Sequence, residues 1–375
     1  MSVILFIAVL AVLILVHELG HFLIAKWAGI RVDEFGLGFP PKLWGKQYGE
    51  TVYSLNAIPF GGFVKIHGET PDEAEGDGPV QPSYPGGPDA ERSLVNKSKP
   101  VQAAVMVGGV FFNFLLAWLL FSVGFMSGLP MSAEAVPTGG VIREEKLTIV
   151  QVMPDSPADG KLAVGDRLWR LSTETEELTA PLTATEAASF IHRQAGQVID
   201  FHLNRGGEEL VVSLMPVAGL TAEGVAVGIS LDDIGLVSLS PWRAVMAGAQ
   251  YTAELTVLMV VTLGQILTDL ISGSGMEAAV VGPVGIVGLV GDAASLGIIH
   301  LLIFTALISV NLAIINLIPF PALDGGRLLF IAIEAVKGSP IPPKVANTLN
   351  LIGFSLLILL MLFVTYKDIM RLLVG

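Results

Sequence analysis

Residues 2–25 form an apolar run of membrane-spanning length that carries His17, Glu18 and His21 inside it. A helix of about 20 apolar residues crosses the hydrocarbon core of a bilayer. Each ionisable group near its centre costs roughly 2.5–3.5 kcal/mol on insertion scales. Three such groups within five residues therefore need a compensating interaction. His17 and His21 are four apart, so a helix puts both imidazoles on one face. Two neutral imidazoles placed that way hold a zinc ion, and Glu18 beside them is positioned to act on a metal-bound water. The same spacing also arises by chance, but mostly in polar sequence. In an apolar run the chance reading is weak, because nothing else there offsets the cost of the charges.

Composition fits this start. Of 375 residues, 52% are hydrophobic and only 15% charged, with a mean hydropathy of +0.69. A soluble domain has about a quarter of its residues charged, so the chain reads as an integral membrane protein of several spans with one small soluble domain. A net charge of −13 without a basic patch gives no ground for a nucleic-acid partner. The absence of cysteine removes thiolate ligands and disulfides. Residues 1–30 read as a retained first span, since a secretory signal would have a basic leader and a plain apolar centre.

Lys26, Arg31, Lys42 and Lys46 follow that span. Basic residues beside a membrane end mark the cytoplasmic side, so the N-terminus is expected outside and the His-Glu motif near the cytoplasmic end of its helix. Residues 50–68 read as a β-hairpin: Thr51–Leu55 and Phe63–Ile66 alternate, and Pro59 with Gly61-Gly62 supplies the turn. Two readings stand side by side. It is an ordinary surface hairpin, or one dipping toward the active site with the backbone edge at Gly61 and Gly62 offered to an extended peptide. Residues 69–98 are expected to be a flexible cytoplasmic linker, rich in Pro, Gly and acidic residues over 69–93, with His67 solvated on the hairpin flank.

A second span is expected at 101–129, with Asn113 making an interhelical hydrogen bond. Charges and turn signals return over 131–235. Thr148–Met153, Val198–Leu203 and Glu209–Leu214 are strand-like, and a helical stretch lies at Thr185–Ala195. His192 and His202 there read as structural or surface residues. Residues 241–271 are either an extra span or an interfacial amphipathic helix, and Glu254, Gln265 and Asp269 favour the second. Gly282-Pro283-Val284-Gly285-Ile286 breaks the chain, and His300 reads as interfacial. The third span, 298–336, is broken by Pro319, Pro321 and Gly325-Gly326, and a fourth covers 346–368.

Asp324 is a second charge embedded in apolar sequence. A lone aspartate there also reads as the cap of the following helix. With the 131–235 domain outside, however, the third span runs inward and brings Asp324 to the depth of His17 and His21. A carboxylate from a second helix then completes three ligands, leaving the fourth position for water. The expected fold is a polytopic α-helical membrane protein of about four transmembrane helices, with one inserted α/β domain and a membrane-dipping β-hairpin.

The motifs together resemble those of the site-2 proteases. They are His17-Glu18-Leu19-Gly20-His21, the Gly-Gly hairpin of 59–65, Gly282–Ile286, and Asn316-Leu-Ile-Pro319-Phe-Pro-Ala-Leu323-Asp324-Gly325. They fall in family order over nearly the whole length, and the 131–235 segment resembles a PDZ domain. The chain looks most similar to the bacterial branch with an extracytoplasmic PDZ insertion. It departs from that branch in a longer linker and in showing one PDZ-like segment where some members have two.

The resemblance implies a zinc-dependent intramembrane endopeptidase of regulated proteolysis in the bacterial inner membrane. Its substrates would be single-span membrane proteins already cut by another protease, such as anti-sigma factors or signal-peptide remnants. Asn316 and Asn311 would hydrogen-bond the unwound substrate backbone. A transporter with a midplane metal or proton site is the main alternative; it predicts inverted hydropathy repeats, and none are visible. A scaffold built on the PDZ-like segment would need neither the histidines nor Asp324.

Overall fold

The computed structural model describes residues 2–69, 89–221, 224–272 and 282–374. The chain divides into two compact units: residues 1–121 with 248–375, and residues 122–247.

The first unit opens with helix α1 (Ser2–Trp27). Strands β1 (Val32–Tyr48) and β2 (Thr51–Ile66) follow, and then helix α2 (Lys99–Ser127), whose last turns enter the second unit. After the second unit come α4 (Pro241–Ser272), α5 (Pro283–Ser295), α6 (Ile298–Leu317), α7 (Asp324–Lys337) and α8 (Pro343–Val374). Among the described residues five helices are long and apolar enough to cross a membrane: α1, α2, α6, 241–266 of α4 and 343–370 of α8. The fifth, α4, is the 241–271 segment expected either as an extra span or as an interfacial helix. Between Arg243 and Asp269 the only acidic or basic residue is Glu254, and Gln250 one turn back donates to its carboxylate at 2.8 Å. The polar interruptions of α4 are thus too sparse to break its apolar length. The expected third span is two helices, α6 and α7, separated by 318–323.

The hairpin differs from the expectation in a way that matters for the site. Residues 51–55 and 63–66 do not pair with each other. Both pair with 34–37, which lies between them, and 42–48 pairs on the far side of 51–56. The order across the sheet is therefore 42–48, 51–58, 34–39, 62–66. Residues 32–48 carry no strand signal in the sequence because Pro40, Pro41 and five glycine or lysine interruptions hide any alternation. Phe22 of α1 packs on Phe35 and Tyr53 at ring-centre distances of 5.3 and 6.1 Å, fixing the sheet to the helix that carries His17 and His21.

The expected linker is folded where it is described, over 89–98; residues 70–88 lie outside the described residues. Arg31 N–H donates to Arg92 O, His67 N–H to Arg31 O and Leu94 N–H to His67 O, so the two ends of the excursion meet. Leu94 is buried with Ala25, Ile30, Val32, Ile66, Val105 and Met106. Arg92 and Lys26 both hydrogen-bond Glu50, at 2.6 and 2.5 Å, and hold its carboxyl down at about 2. Paired charges and one apolar anchor give residues 89–98 what composition alone did not suggest.

The second unit is a small α/β domain. Its strands are β3 (Leu129–Ser132), β4 (Val141–Val152), β5 (Arg167–Ser172), β6 (Glu177–Thr179), β7 (Ile199–Arg205), β8 (Glu208–Leu214), β9 (Val217–Thr221), β10 (Gly224–Ala226) and β11 (Ile229–Ser238). The main sheet runs β3-β11-β4-β5-β7-β8, with β6 on β5, and β9 and β10 form a separate pair. The expected helix is α3 (Ala184–Arg193), started by a capping box between Thr183 and Glu186. Its Phe190 is buried against Ile149, Leu171, Phe201 and Leu203. The three expected strands fall within β4, β7 and β8, and His202 accepts or donates a hydrogen bond at Ser172 Oγ, 3.0 Å away.

Candidate metal centre

The helical repeat puts His17 and His21 on one face of α1, as the spacing requires, and both are buried. Their rings meet edge to face at 4.8 Å. Asp324 reaches them from α7. His17 Nε2 lies 3.1 Å from Asp324 Oδ2, His21 Nε2 lies 3.4 Å from it, and the two Nε2 atoms are 3.1 Å apart. Among the described residues this is the one group of three or more His, Cys, Asp or Glu side chains able to hold a metal ion.

The geometry tests the fit. Zinc–nitrogen and zinc–oxygen bonds of about 2.0–2.1 Å make the edge of a ligand tetrahedron about 3.3 Å long. The three observed distances bracket that value. Chemistry agrees, because His21 Nδ1–H donates to Val105 O at 2.8 Å. A neutral His21 therefore turns a bare Nε2 lone pair toward the carboxylate. Asp324 Oδ2 is itself buried and has no hydrogen-bond donor. Acceptors facing one another in a dry pocket call for a cation.

Local sequence explains how Asp324 arrives. It does not cap α7: the N-cap is Leu323, with no side-chain cap, and Asp324 is the first helical residue. The glycine pair after it matters more. A Cβ on Gly325 would strike the carbonyls of Leu317 and Ile318, and one on Gly326 the carbonyl of Phe320. Only glycines let the first turn of α7 fold back on the end of α6, which swings Asp324 toward α1. Asn350 of α8 accepts from Ala322 N–H at 3.2 Å and steadies the break.

Glu18 sits half-buried beside the triangle, within electrostatic reach of His17, His21, Asp324 and Arg327. Gly62 packs on its stem: a Cβ there would lie 3.1 Å from Glu18 Cγ and 2.9 Å from Ile14. The sheet edge at 62–66 is thus brought to the site. Gly61 instead turns the chain in the left-handed region, φ +115°, against the Phe39 ring. Asn316 is half-buried in the last turn of α6, whereas Asn311 is exposed and hydrogen-bonds Leu307 O of its own helix at 3.5 Å. His67 lies 3.9 Å from Asp33, away from the metal group.

Two features went unread in the sequence, and a third, Asn113, makes its expected interhelical hydrogen bond to one of the two histidines. Gly109 of α2 faces both rings; a Cβ there would contact His21 Nε2 and lie 2.7 Å from His17 Cε1. Asn113 reaches His17, and Arg327, one turn beyond Asp324, pairs with Glu69. The signal for Gly109 was present: Gly109 and Asn113 are four apart, hence on one helix face. A cavity of about 430 Å³ lined by Glu69, Lys99, Gln102, Arg327 and Glu334 lies beside the metal group and does not include its ligands.

Comparison with known proteins follows the same line. A model of Peptidase family M50 matches residues 5–360. A putative zinc metalloprotease of Clostridium perfringens is 36% identical over 95% of both chains. Zinc metalloprotease RasP of Geobacillus kaustophilus is 31% identical over 99% of this chain and 98% of that one. The regulator of sigma-W protease RasP of Bacillus subtilis is 28% identical over 99% of both. Among solved structures, the PDZ domain of an SdrC-like protein from Listeria innocua matches 23% of this chain and 92% of its own at 19% identity, with a TM-score of 0.20.

Proposed function

The chain belongs to Peptidase family M50 and is a zinc-dependent intramembrane endopeptidase of regulated proteolysis; on that premise we propose that His17, His21 and Asp324 hold its zinc and that Glu18 is its general base. The triangle of Nε2, Nε2 and Oδ2 atoms, with sides of 3.1 to 3.4 Å, carries this reading. Zinc held there would supply Lewis acidity, polarising a carbonyl and bringing the pKa of a water far below its bulk value. Glu18 accepts a proton from the attacking water as its oxygen bonds to the scissile carbonyl carbon. As the C–N bond breaks, Glu18 returns that proton to the leaving nitrogen, so a carboxyl and an amine form.

A helical substrate presents no free backbone, so it must unwind to be cut. The edge strand at 62–66 pairs on one side only among the described residues, and Gly62 lies against Glu18. An extended substrate adding to that edge would be delivered to the base. Asn316, half-buried at the end of α6, would hold a freed substrate amide; the exposed position of Asn311 supports that role less.

Lys26, Arg31, Lys42, Lys46, Lys337 and Lys344 assign their loops to the cytoplasmic side. On this reading the N-terminus and the 129–238 domain lie outside, with the metal group toward the cytoplasm of a bacterial inner membrane. Gly291 of α5 lies against Ser2, and Asp368 of α8 accepts from Gly282 and Gly285 N–H at 3.2 and 2.9 Å. Both ends of α5 therefore sit at the outer level of α1 and α8. A full crossing by α4 would leave nine residues, 273–281, to return the chain, which favours an interfacial α4. The substrates are membrane-tethered proteins, and the name of the Bacillus subtilis relative supports anti-sigma factors among them, already trimmed by another protease. The external domain, with its PDZ-like order of strands around one helix, either reads the trimmed terminus or excludes bulky ectodomains.

Cleavage of a single-span reporter in liposomes by wild type and Glu18→Gln, with zinc measured in both, tests the proposal. Cutting by wild type alone, with equal zinc, supports Glu18 as base. Equal cutting by both proteins removes it.

A further inference from the structure

We infer that Asn113 is a positioning residue that fixes His17 for the metal, by accepting the His17 Nδ1–H in its side-chain oxygen. The inference rests on the metal-site reading above and assigns a role to a residue outside the ligand set.

Val105, Gly109 and Asn113 are spaced by four on α2 and form one stripe along the helix. All three meet the histidines. Val105 O accepts from His21 Nδ1 at 2.8 Å. Gly109 makes room for both rings. Asn113, with no exposed surface, has its carboxamide 3.2 Å from His17 Nδ1. Ser309 Oγ of α6 donates to Asn113 O at 2.8 Å and pins this turn of α2 from the other side.

The carboxamide as placed turns Nδ2 to the ring and leaves Oδ1 buried without a donor. That arrangement makes Nδ1 an acceptor, so a neutral His17 would carry its proton on Nε2, where the metal belongs. Rotating the amide by 180° exchanges its two ends without a change in shape. Oδ1 then accepts Nδ1–H, and the Nε2 lone pair faces Asp324 and His21. The metal needs a free Nε2 lone pair on His17, which favours this second orientation. Both rings are then held in the same tautomer by one helix. Partners of this kind, donated to by the second ring nitrogen, typically govern 10–100-fold in metal affinity.

The test measures zinc affinity of purified full-length protein by competition with a chelator, together with the visible spectrum of the cobalt-substituted form. Asn113→Leu keeps the volume and removes the acceptor; Asn113→Asp keeps an acceptor oxygen. The expected result is a 10–100-fold loss of affinity and an altered cobalt spectrum in Asn113→Leu, with Asn113→Asp close to wild type in both. Wild-type affinity in Asn113→Leu overturns the inference, as does an equal loss in Asn113→Asp. Should the leucine variant fail to accumulate, Asn113→Ala replaces it under the same criteria. His17→Ala is the control: if it leaves wild-type zinc affinity unchanged, the metal-site reading fails first and this inference with it.

Discussion

Gly109→Ala is the most informative single substitution, because it adds one methyl group and replaces no ligand. The new Cβ would contact His21 Nε2 and lie 2.7 and 2.8 Å from His17 Cε1 and Nε2. Ordinary van der Waals contact begins at 3.4 Å, so the His17 ring must move by about 0.6–0.7 Å and the His21 ring further, or α2 must withdraw. Withdrawal is costly. Moving α2 away would open the backbone-to-backbone packing of Gly108 on Gly20 and break the His21–Val105 hydrogen bond. Metal sites tolerate ligand displacements of about 0.2 Å, and a misplacement of about 1 Å at a catalytic centre can cost 10²-fold in rate. We expect zinc affinity to fall at least tenfold and reporter cleavage about 10²-fold, with the protein still accumulating in membranes. The assay is chelator competition on detergent-purified protein beside liposome cleavage. Gly109→Ala with wild-type zinc affinity and wild-type cleavage would refute the placement of α2 against the histidines.

Three further outcomes follow from the same geometry. Asp324→Ala should lose tight zinc, and chelation of wild type should abolish cleavage until zinc is returned; retention of stoichiometric zinc by Asp324→Ala in elemental analysis would remove it from the ligand set. Glu50 has a lowered carboxyl pKa, so its pairing with Arg92 and Lys26 stabilises the fold above the unfolded value of 4.5 and is lost as pH falls toward about 2. Glu50→Gln should therefore melt below wild type at pH 7, with the gap narrowing from pH 4.5 downward, and a gap independent of pH would contradict the ion-pair account. Because His67 and Leu94 are already hydrogen-bonded to each other, replacing residues 70–88 by a short Gly-Ser loop should preserve zinc binding and reporter cleavage; loss of zinc would show that the excursion supports the site.

Much of the site was legible because membrane insertion penalises charge. Against an apolar background His17, Glu18, His21 and Asp324 stand out, and helical periodicity pairs the two histidines. The α/β segment was legible for a different reason: alternation and turn residues mark β4, β7 and β8, and Thr183 with Glu186 marks the start of α3. The first half of the sheet was not, since Gly36, Gly38, Pro40 and Pro41 erase the alternation in a strand held by its neighbours on both sides. Residues 89–98 were misread as linker because composition cannot see that Glu50 and Asp89 lie across from Arg92 and Arg31.

By itself, then, the sequence determined which residues can bear the chemistry, since spacing along one helix and the cost of buried charge are local properties. What only the tertiary structure decided is how they are held. Asp324 joins the histidines because two glycines let α7 fold back on α6, and Asn113 meets His17 because glycines at 20 and 108 bring α1 and α2 into backbone contact. Those contacts link residues about a hundred to three hundred positions apart, and close approach between helices is set by packing in three dimensions, which no local pattern encodes.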